Sequence, residues 1–282
     1  MPAIQPARLR QQAALLVDHF NEPAAFVRSL HHLLEFYAER AYRPGQAGVP
    51  APLLASYNVR PPVLRQVIVE LAPLAREEPE AALDLCDALW QEGYFEFCQL
   101  AIALLGQIPC MPAEPILKRV RDWLKASLEH RLIDNIFQQG MSCLYQKNAT
   151  GVIELAEQLI EDRDTFQQQM GLKALIKLVH KPDFDNYPVC YRLIQPLLRS
   201  TPHALRPELL DLIAALAHNS PSEMAYIFRQ NLELPNSQDT AWLVRHSLKE
   251  FPPEISESLR AKEREMTNIH YKARKTETGL SR

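Results

Sequence analysis

Two residues invite a chemical reading first. His130 and Asp134 stand four apart in EHRLIDN (129–135), so on a helix they share one face. A carboxylate beside a cleft can stabilise a developing cation. The same spacing also fits an ordinary i,i+4 ion pair near a helix start. A second candidate lies just upstream, in ILKRVRDWLK (116–125). Lys118, Arg121 and Lys125 follow an i, i+3, i+7 spacing, which draws a positive stripe along a helix and can track phosphates. Ile116, Val120 and Leu124 then form the opposite, buried side, and Arg131 adds a further cation next to the pair. A plain solvated face has the same pattern.

Other arrangements carry less. His31 and His32 are adjacent, so on a helix they point apart and do not chelate together. Asp183 and Asp185 in KPDFDNYP lack the glycine and later acidic positions of a calcium loop, and a capped turn explains them. H-E-x-x-H, G-x-S-x-G, G-x-G-x-x-G and the phosphate-loop pattern are all absent from the sequence, which argues against zinc hydrolase, serine hydrolase and standard nucleotide chemistry. No metal site is expected.

The elements that must position these residues are helical throughout. PPVLRQVIVELAPLA (61–75) places Leu64, Val67, Ile68, Leu71 and Leu74 at three- and four-residue spacing, one apolar stripe on a helix. The pattern recurs and predicts helices near 7–20, 22–41, 61–75, 79–92, 94–108, 113–127, 129–147, 149–161, 164–180, 187–200, 205–218, 221–231, 238–250 and 254–274. The 22 prolines sit mostly at the joins and read as punctuation. Helix pairs recur about every 35–45 residues, the range of HEAT and armadillo repeats. The expected fold is all-α, a HEAT-like helical-repeat solenoid (an α-α superhelix) with a concave binding face. Residues 1–56 form an N-terminal helical cap and a Pro/Gly linker (42–56), residues 57–262 the solenoid, and residues 263–282 a basic C-terminal tail.

The composition narrows the partners. The 282 residues carry a net charge of −3, with 8 glycines and 5 cysteines. Residues 260–282 hold seven Lys/Arg and three Glu, a balance of +4, which leaves −7 on residues 1–259. Any basic surface in the body must therefore be local. The odd cysteine count without a C-x-x-C pair predicts five reduced, buried thiols. No long apolar run suggests a membrane span, and the opening MPAIQPARLRQQ lacks a signal-peptide core, so the expected location is cytoplasmic.

At this point three blocks resemble a known family. YNVRPPVLRQVIVEL (57–71) resembles the Y-x-G-V-x-x-P-x-L-R-x-I segment of the AlkD-like DNA alkylation repair proteins, which are HEAT-like-repeat DNA glycosylases. ALDLCDALWQEGYFEFCQLAIALL (82–105) resembles their A-L-W … Y-x-E-x-x-x-L-A-x-x-L-L pattern, with Trp90, Tyr94 and Glu96 in place. LVRHSLKEFPPEISESLR (243–260) resembles their late helix. The resemblance implies proteins that cradle alkylated duplex DNA and hydrolyse the N-glycosidic bond of cationic 3- or 7-alkylpurines without metal or organic cofactor. It implies an aspartate that stabilises the sugar cation, tryptophans that contact the deoxyribose, and an arginine that holds the backbone.

Carried over by position, Asp134 takes the catalytic aspartate's place, while His130 stands where the family has a tryptophan. Gln169 replaces the DNA-holding arginine in FQQQM (166–170), and His246 replaces the second tryptophan. The resemblance with these exchanges implies a non-catalytic or atypical nucleic-acid-binding scaffold. Lys118, Arg121, Lys125 and Arg131 would meet duplex DNA, and His130, Gln169 and His246 would line the pocket. The alternatives are an alkylpurine DNA glycosylase acting through Asp134 and an adaptor for a protein partner.

Overall fold

The computed structural model describes residues 5–39 and 53–279, with side chains through 269. Most of the Pro/Gly linker therefore lies outside the described residues, as does the end of the basic tail. Within them the chain is all-α. No described helix is long and apolar enough to cross a membrane. The chain divides into two compact units, residues 1–151 and 152–282.

The first unit holds α1 (Pro6–Val17), α2 (Pro23–Tyr37), α3 (Pro61–Glu77), α4 (Pro79–Gln91), α5 (Phe95–Leu105), α6 (Glu114–Trp123), α7 (His130–Asn135) and α8 (Ser142–Lys147). Helices two apart in sequence pack side by side: α1 on α3, α3 on α5, α5 on α7, and α2 on α4. This gives two rows with the core between them, built from side chains such as Leu30, Leu34, Leu71, Leu85, Leu89 and Phe97. The second unit takes in α9 (Ala149–Ile160), which begins at the boundary, then α10 (Thr165–Val179), α11 (Tyr187–Arg199), α12 (Arg206–Asn219), α13 (Pro221–Leu232), α14 (Gln238–Ser247) and α15 (Pro253–Gly279). The same alternation holds: α10, α12 and α14 form one row, and α11, α13 and α15 the other. Each helix is too narrow to bury its apolar face alone, and its second neighbour supplies the cover. The basic tail continues α15 as helix through Gly279.

Proline opens these helices by position. It occupies one of the first two residues of α1 to α4, α6 and α11 to α13. The N–H it lacks is one that a helix start leaves unbonded. Pro73 and Pro196 are exceptions to the punctuation reading, because they sit inside α3 and α11. At the start of α10, which has no proline, a side chain caps instead: the Asp164 carboxylate accepts the Phe166 N–H at 3.0 Å.

Three sequence expectations change. The helix predicted over 129–147 is broken by a π-helical turn at Ile136–Gly140 between α7 and α8. That turn presses on the end of α5, where a Cβ on Gly106 would fall 2.1 Å from the Gln139 carbonyl oxygen. The chain widens there because two backbones touch. The helix predicted over 113–127 stops at Trp123. The five reduced thiols become three: Cys86, Cys98 and Cys190 are free and buried, while Cys110 and Cys143 are joined as a disulfide with Cα atoms 5.8 Å apart. Their separation of 33 residues matches no local motif. Only the fold brings Cys110, after α5, against α8.

Candidate functional site

The residues ahead of α3 do not drift free. They are strapped across the start of α5 by one carboxylate. Glu96 is 2% exposed, and it accepts the Ser56 hydroxyl at 2.8 Å, the Tyr57 N–H at 3.1 Å and the Val59 N–H at 3.4 Å. A buried carboxylate is stable only when its lone pairs are satisfied, and the segment supplies the donors. Asn58 turns the segment at φ +53°, a conformation that asparagine tolerates. Two further bonds complete the strap: Phe95 N–H donates to the Ala55 carbonyl at 2.8 Å, and Leu54 N–H donates to Glu129 at 3.2 Å.

Aromatic rings wedge the strap in place. Tyr57 stacks on Tyr94 at 5.2 Å between ring centres. Its hydroxyl donates to His31 Nδ1 at 2.7 Å, and His31 Nε2–H donates to Glu92 at 2.9 Å. Burial, with the neighbouring Tyr94 and the carboxylates of Glu35, Glu96 and Glu92, raises the Tyr57 phenol above its ordinary value. The phenol therefore keeps the proton that this bond needs. Both nitrogens of His31 are engaged, which gives that histidine a bracing role. Trp90 lies flat on Trp123 at 4.2 Å and 7°, tying α4 to α6.

Behind the strap is a cavity of about 780 Å³. Its walls come from the strap itself, from Leu64, Arg65 and Ile68 of α3, and from Phe95, Gln99, Leu100 and Ala103 of α5. Glu129, His130, Arg131, Asn135 and Gln139 close it from α7 and the π turn. Arg131 sits over the Phe95 ring at 5.3 Å. A second, more apolar cavity of about 610 Å³ lies beside Pro79, Met111 and Ile116.

The apolar stripe read from α3 explains the first cavity. Its fully buried seam is Val63, Val67, Leu71 and Ala75. Leu64 and Ile68 lie one position off that seam and face the hollow. Arg131, Asn135 and Gln139 recur every four residues on the polar side of Leu132, Ile133 and Ile136. That spacing is a sequence signal for the cavity's polar wall that the motif reading did not use.

In the second unit a separate cluster forms around Trp242. His246 stacks on it at 3.8 Å between ring centres and donates from Nδ1 to the Trp242 carbonyl at 2.7 Å. The Arg206 guanidinium lies 4.3 Å from the centre of the same ring. Arg206 also meets Asp239 at 3.3 Å, and Asp239 accepts the Thr201 N–H at 3.0 Å.

Comparison with protein families matches residues 53–225, more than half of the chain, to the family described as DNA alkylation repair enzyme. The chain belongs to the DNA alkylation repair enzyme family. Comparison with curated proteins and with solved structures finds no match.

α7 holds His130 and Asp134 one turn apart. His130 lines the cavity, but Asp134 is exposed and stands outside its lining. Gln169 donates its amide to the Ala204 carbonyl at 2.7 Å. His246 is exposed on its stack with Trp242.

The expected basic stripe is reduced. Lys118 is exposed, whereas Arg121 is ion-paired with Glu114 of the same helix. Lys125 is exposed but falls beyond the end of α6, so it does not continue the stripe. Arg119 makes a two-pronged pair with Asp87 of α4. Arg131 is the basic candidate that reaches the cavity.

Proposed function

We propose that this family member is a nucleic-acid-binding scaffold that does not carry the usual arrangement for alkylpurine excision. On this reading it is a HEAT-like repeat protein that meets duplex DNA through local basic residues. The exposure of Asp134 carries the reading. A carboxylate stabilises a sugar cation strongly only where water is excluded, since in bulk water its field is screened several-fold. The exchanges at the other family positions support it. Gln169 has no charge to offer a phosphate, and its amide is already engaged. His246 is smaller than a tryptophan and is held against Trp242.

Phosphate contact then falls to Lys118, Lys125 and Arg131, which are exposed. Arg121 contributes less because Glu114 balances it. With about three phosphates neutralised, log K falls against log salt with a slope of about −2.7, or roughly 40-fold between about 50 and 200 mM.

The test has two arms. Methylated duplex DNA is incubated with the native chain and with Asp134→Asn, and free 3- and 7-methylpurines are measured. Binding of the same duplex is followed by anisotropy at several salt concentrations. The expected result is no release above the protein-free rate and salt-weakened binding. Release that Asp134→Asn abolishes would establish a glycosylase and overturn the reading. The absence of both release and binding would turn it toward a protein adaptor.

A further inference from the structure

We infer that the second cavity of the first unit, beside Pro79, Met111 and Ile116, docks a short peptide segment of a protein partner in which lysine or arginine flanks apolar side chains. This surface is separate from the cavity behind the strap, since no residue lines both. Its volume of about 610 Å³ falls inside the range of binding pockets, about 300–1,000 Å³.

The walls suit an apolar occupant. Pro79 and Leu83 come from the start of α4, Pro109, Met111 and Pro112 from the link between α5 and α6, and Ile116 from α6. Met111 is 72% exposed, with Pro109 and Pro112 exposed beside it. Covering such side chains removes apolar surface from water and favours binding. The link is held before any partner arrives. The Asn148 amide donates to the Cys110 carbonyl at 3.5 Å, the Ser142 hydroxyl donates to the Gly106 carbonyl at 3.2 Å, and Cys110 is joined to Cys143. A wall ordered in advance spares a partner the cost of ordering it.

The charge suits a cationic one. Glu78 and Glu80 are the charged residues of the lining, and among the described residues no cation shares it. Both are exposed, and neither carboxylate is ion-paired or hydrogen-bonded among the described residues. The start of α4 would by itself favour an anion, but Pro79 removes one of its free N–H groups and Glu80 stands in its first turn. Acid continues past the hollow, with Glu77 closing α3 and Asp84 one turn beyond Glu80. Most neighbouring cations are engaged: Arg76 donates to Gln107, Arg119 pairs with Asp87, and Arg121 pairs with Glu114. Lys118 is exposed on α6, outside the lining. Four carboxylates thus stand against Arg76 and Lys118, an excess of negative charge. These carboxylates extend over more than one helical turn of about 5.4 Å. A chain with several cations meets them better than a compact ligand with one, and complementary charge orients its docking.

The experiment uses the full chain and three fluorescein-labelled peptides, read by anisotropy. KLLKLK carries both features, ELLELE reverses the charge, and KGGKGK removes the apolar side chains. KLLKLK should bind saturably and at least about tenfold more tightly than either of the others. Ala81→Phe fills the cavity from a half-buried wall position and should weaken KLLKLK by at least about tenfold. Glu78→Gln combined with Glu80→Gln, both at exposed positions, should weaken it about fivefold and flatten its salt dependence. That second variant keeps the test sound if Ala81→Phe folds poorly.

No saturable binding of KLLKLK would overturn the inference. So would binding of ELLELE or KGGKGK within about threefold of it, or KLLKLK affinity unchanged in both variants. Octylammonium, an apolar body with one positive charge, is titrated as a competitor. Displacement of KLLKLK by octylammonium at equal concentration would assign the cavity to a small amphiphilic cation instead of a partner segment. None of these readouts depends on duplex binding.

Discussion

Replacing Glu96 by glutamine keeps the side chain's length and removes its charge. In the native chain one carboxylate oxygen accepts Ser56 Oγ and Val59 N–H, and the other accepts Tyr57 N–H. A glutamine can present its single oxygen to one side only. With that oxygen toward Ser56 and Val59, its NH₂ group faces the Tyr57 N–H, donor against donor. One charge-assisted bond is lost and one sheltered N–H is left without a partner, at a cost of about 2 kcal/mol. Relief from burying a charge works in the opposite direction. It is the smaller effect because three donors already solvate the native carboxylate.

The loss falls on the strap, so its local opening should become about 30-fold more frequent, taking about 1.4 kcal/mol per factor of ten. Amide hydrogen exchange over residues 53–60 measures this directly, with Tyr57 and Val59 as reporters. Glu77→Gln serves as the comparison, since Glu77 is exposed at the last residue of α3. Exchange at Tyr57 and Val59 that stays within about threefold of the native rates would refute the view that Glu96 closes the cavity wall.

Other consequences are as direct. Gly106→Ala should cost about 1–3 kcal/mol in denaturant melts, because the new Cβ would meet the Gln139 carbonyl oxygen at 2.1 Å; a melt like that of the native chain would show that the π turn yields freely. Gln169→Ala should lose only its bond to Ala204, about 1 kcal/mol, and leave duplex affinity unchanged by anisotropy. Unfolded protein kept from reductant should show three titratable thiols and five after reduction, since Cys110 and Cys143 are joined. Burial pushes both Cys98 and Cys190 up to about 12 from a usual value of 9.0. The neutral thiols favour the fold, so that contribution is full below pH 9.0 and is lost as pH rises toward about 12. Denaturant melts should show stability falling by about 1 kcal/mol per pH unit for each thiol across that window.

The helices were legible because apolar spacing and proline placement agree. The stripe on 61–75 and the prolines at the joins place α3, α4 and α13 within two residues of their observed ends. The sequence misleads where tertiary contact overrides a local pattern. Residues 129–147 read as one helix, yet Gly106 and Gln139 touch and the π turn intervenes. Lys125 continues a periodic stripe on paper, but the helix beneath it ends at Trp123. The cavity was hidden for a related reason. Periodicity assigns Leu64 and Ile68 to a core-facing stripe, and only the neighbouring helices decide that this edge of the stripe faces a hollow. Glu96 was visible as part of a motif, but its work on the strap depends on residues about 40 positions earlier in the chain.

These placements also show which residues of the family pattern the fold holds in place. Tyr57, Trp90, Tyr94 and Glu96 keep the pattern, and each is held by a partner in the framework: Tyr57 on Tyr94, Trp90 on Trp123, Glu96 on the strap. Exchanging any of them opens a packing defect or leaves sheltered donors unpaired, changes that cost about 2 kcal/mol or more. His130, His246 and Asp134 are exposed, and Gln169 needs only one backbone carbonyl. Substitutions at such positions move stability by about 1 kcal/mol or less. The scaffold therefore places little restraint on the residues that would perform excision and a strong one on those that hold the strap. Family membership here reports the strap and the helix rows, and a fold does not by itself fix what is done on it.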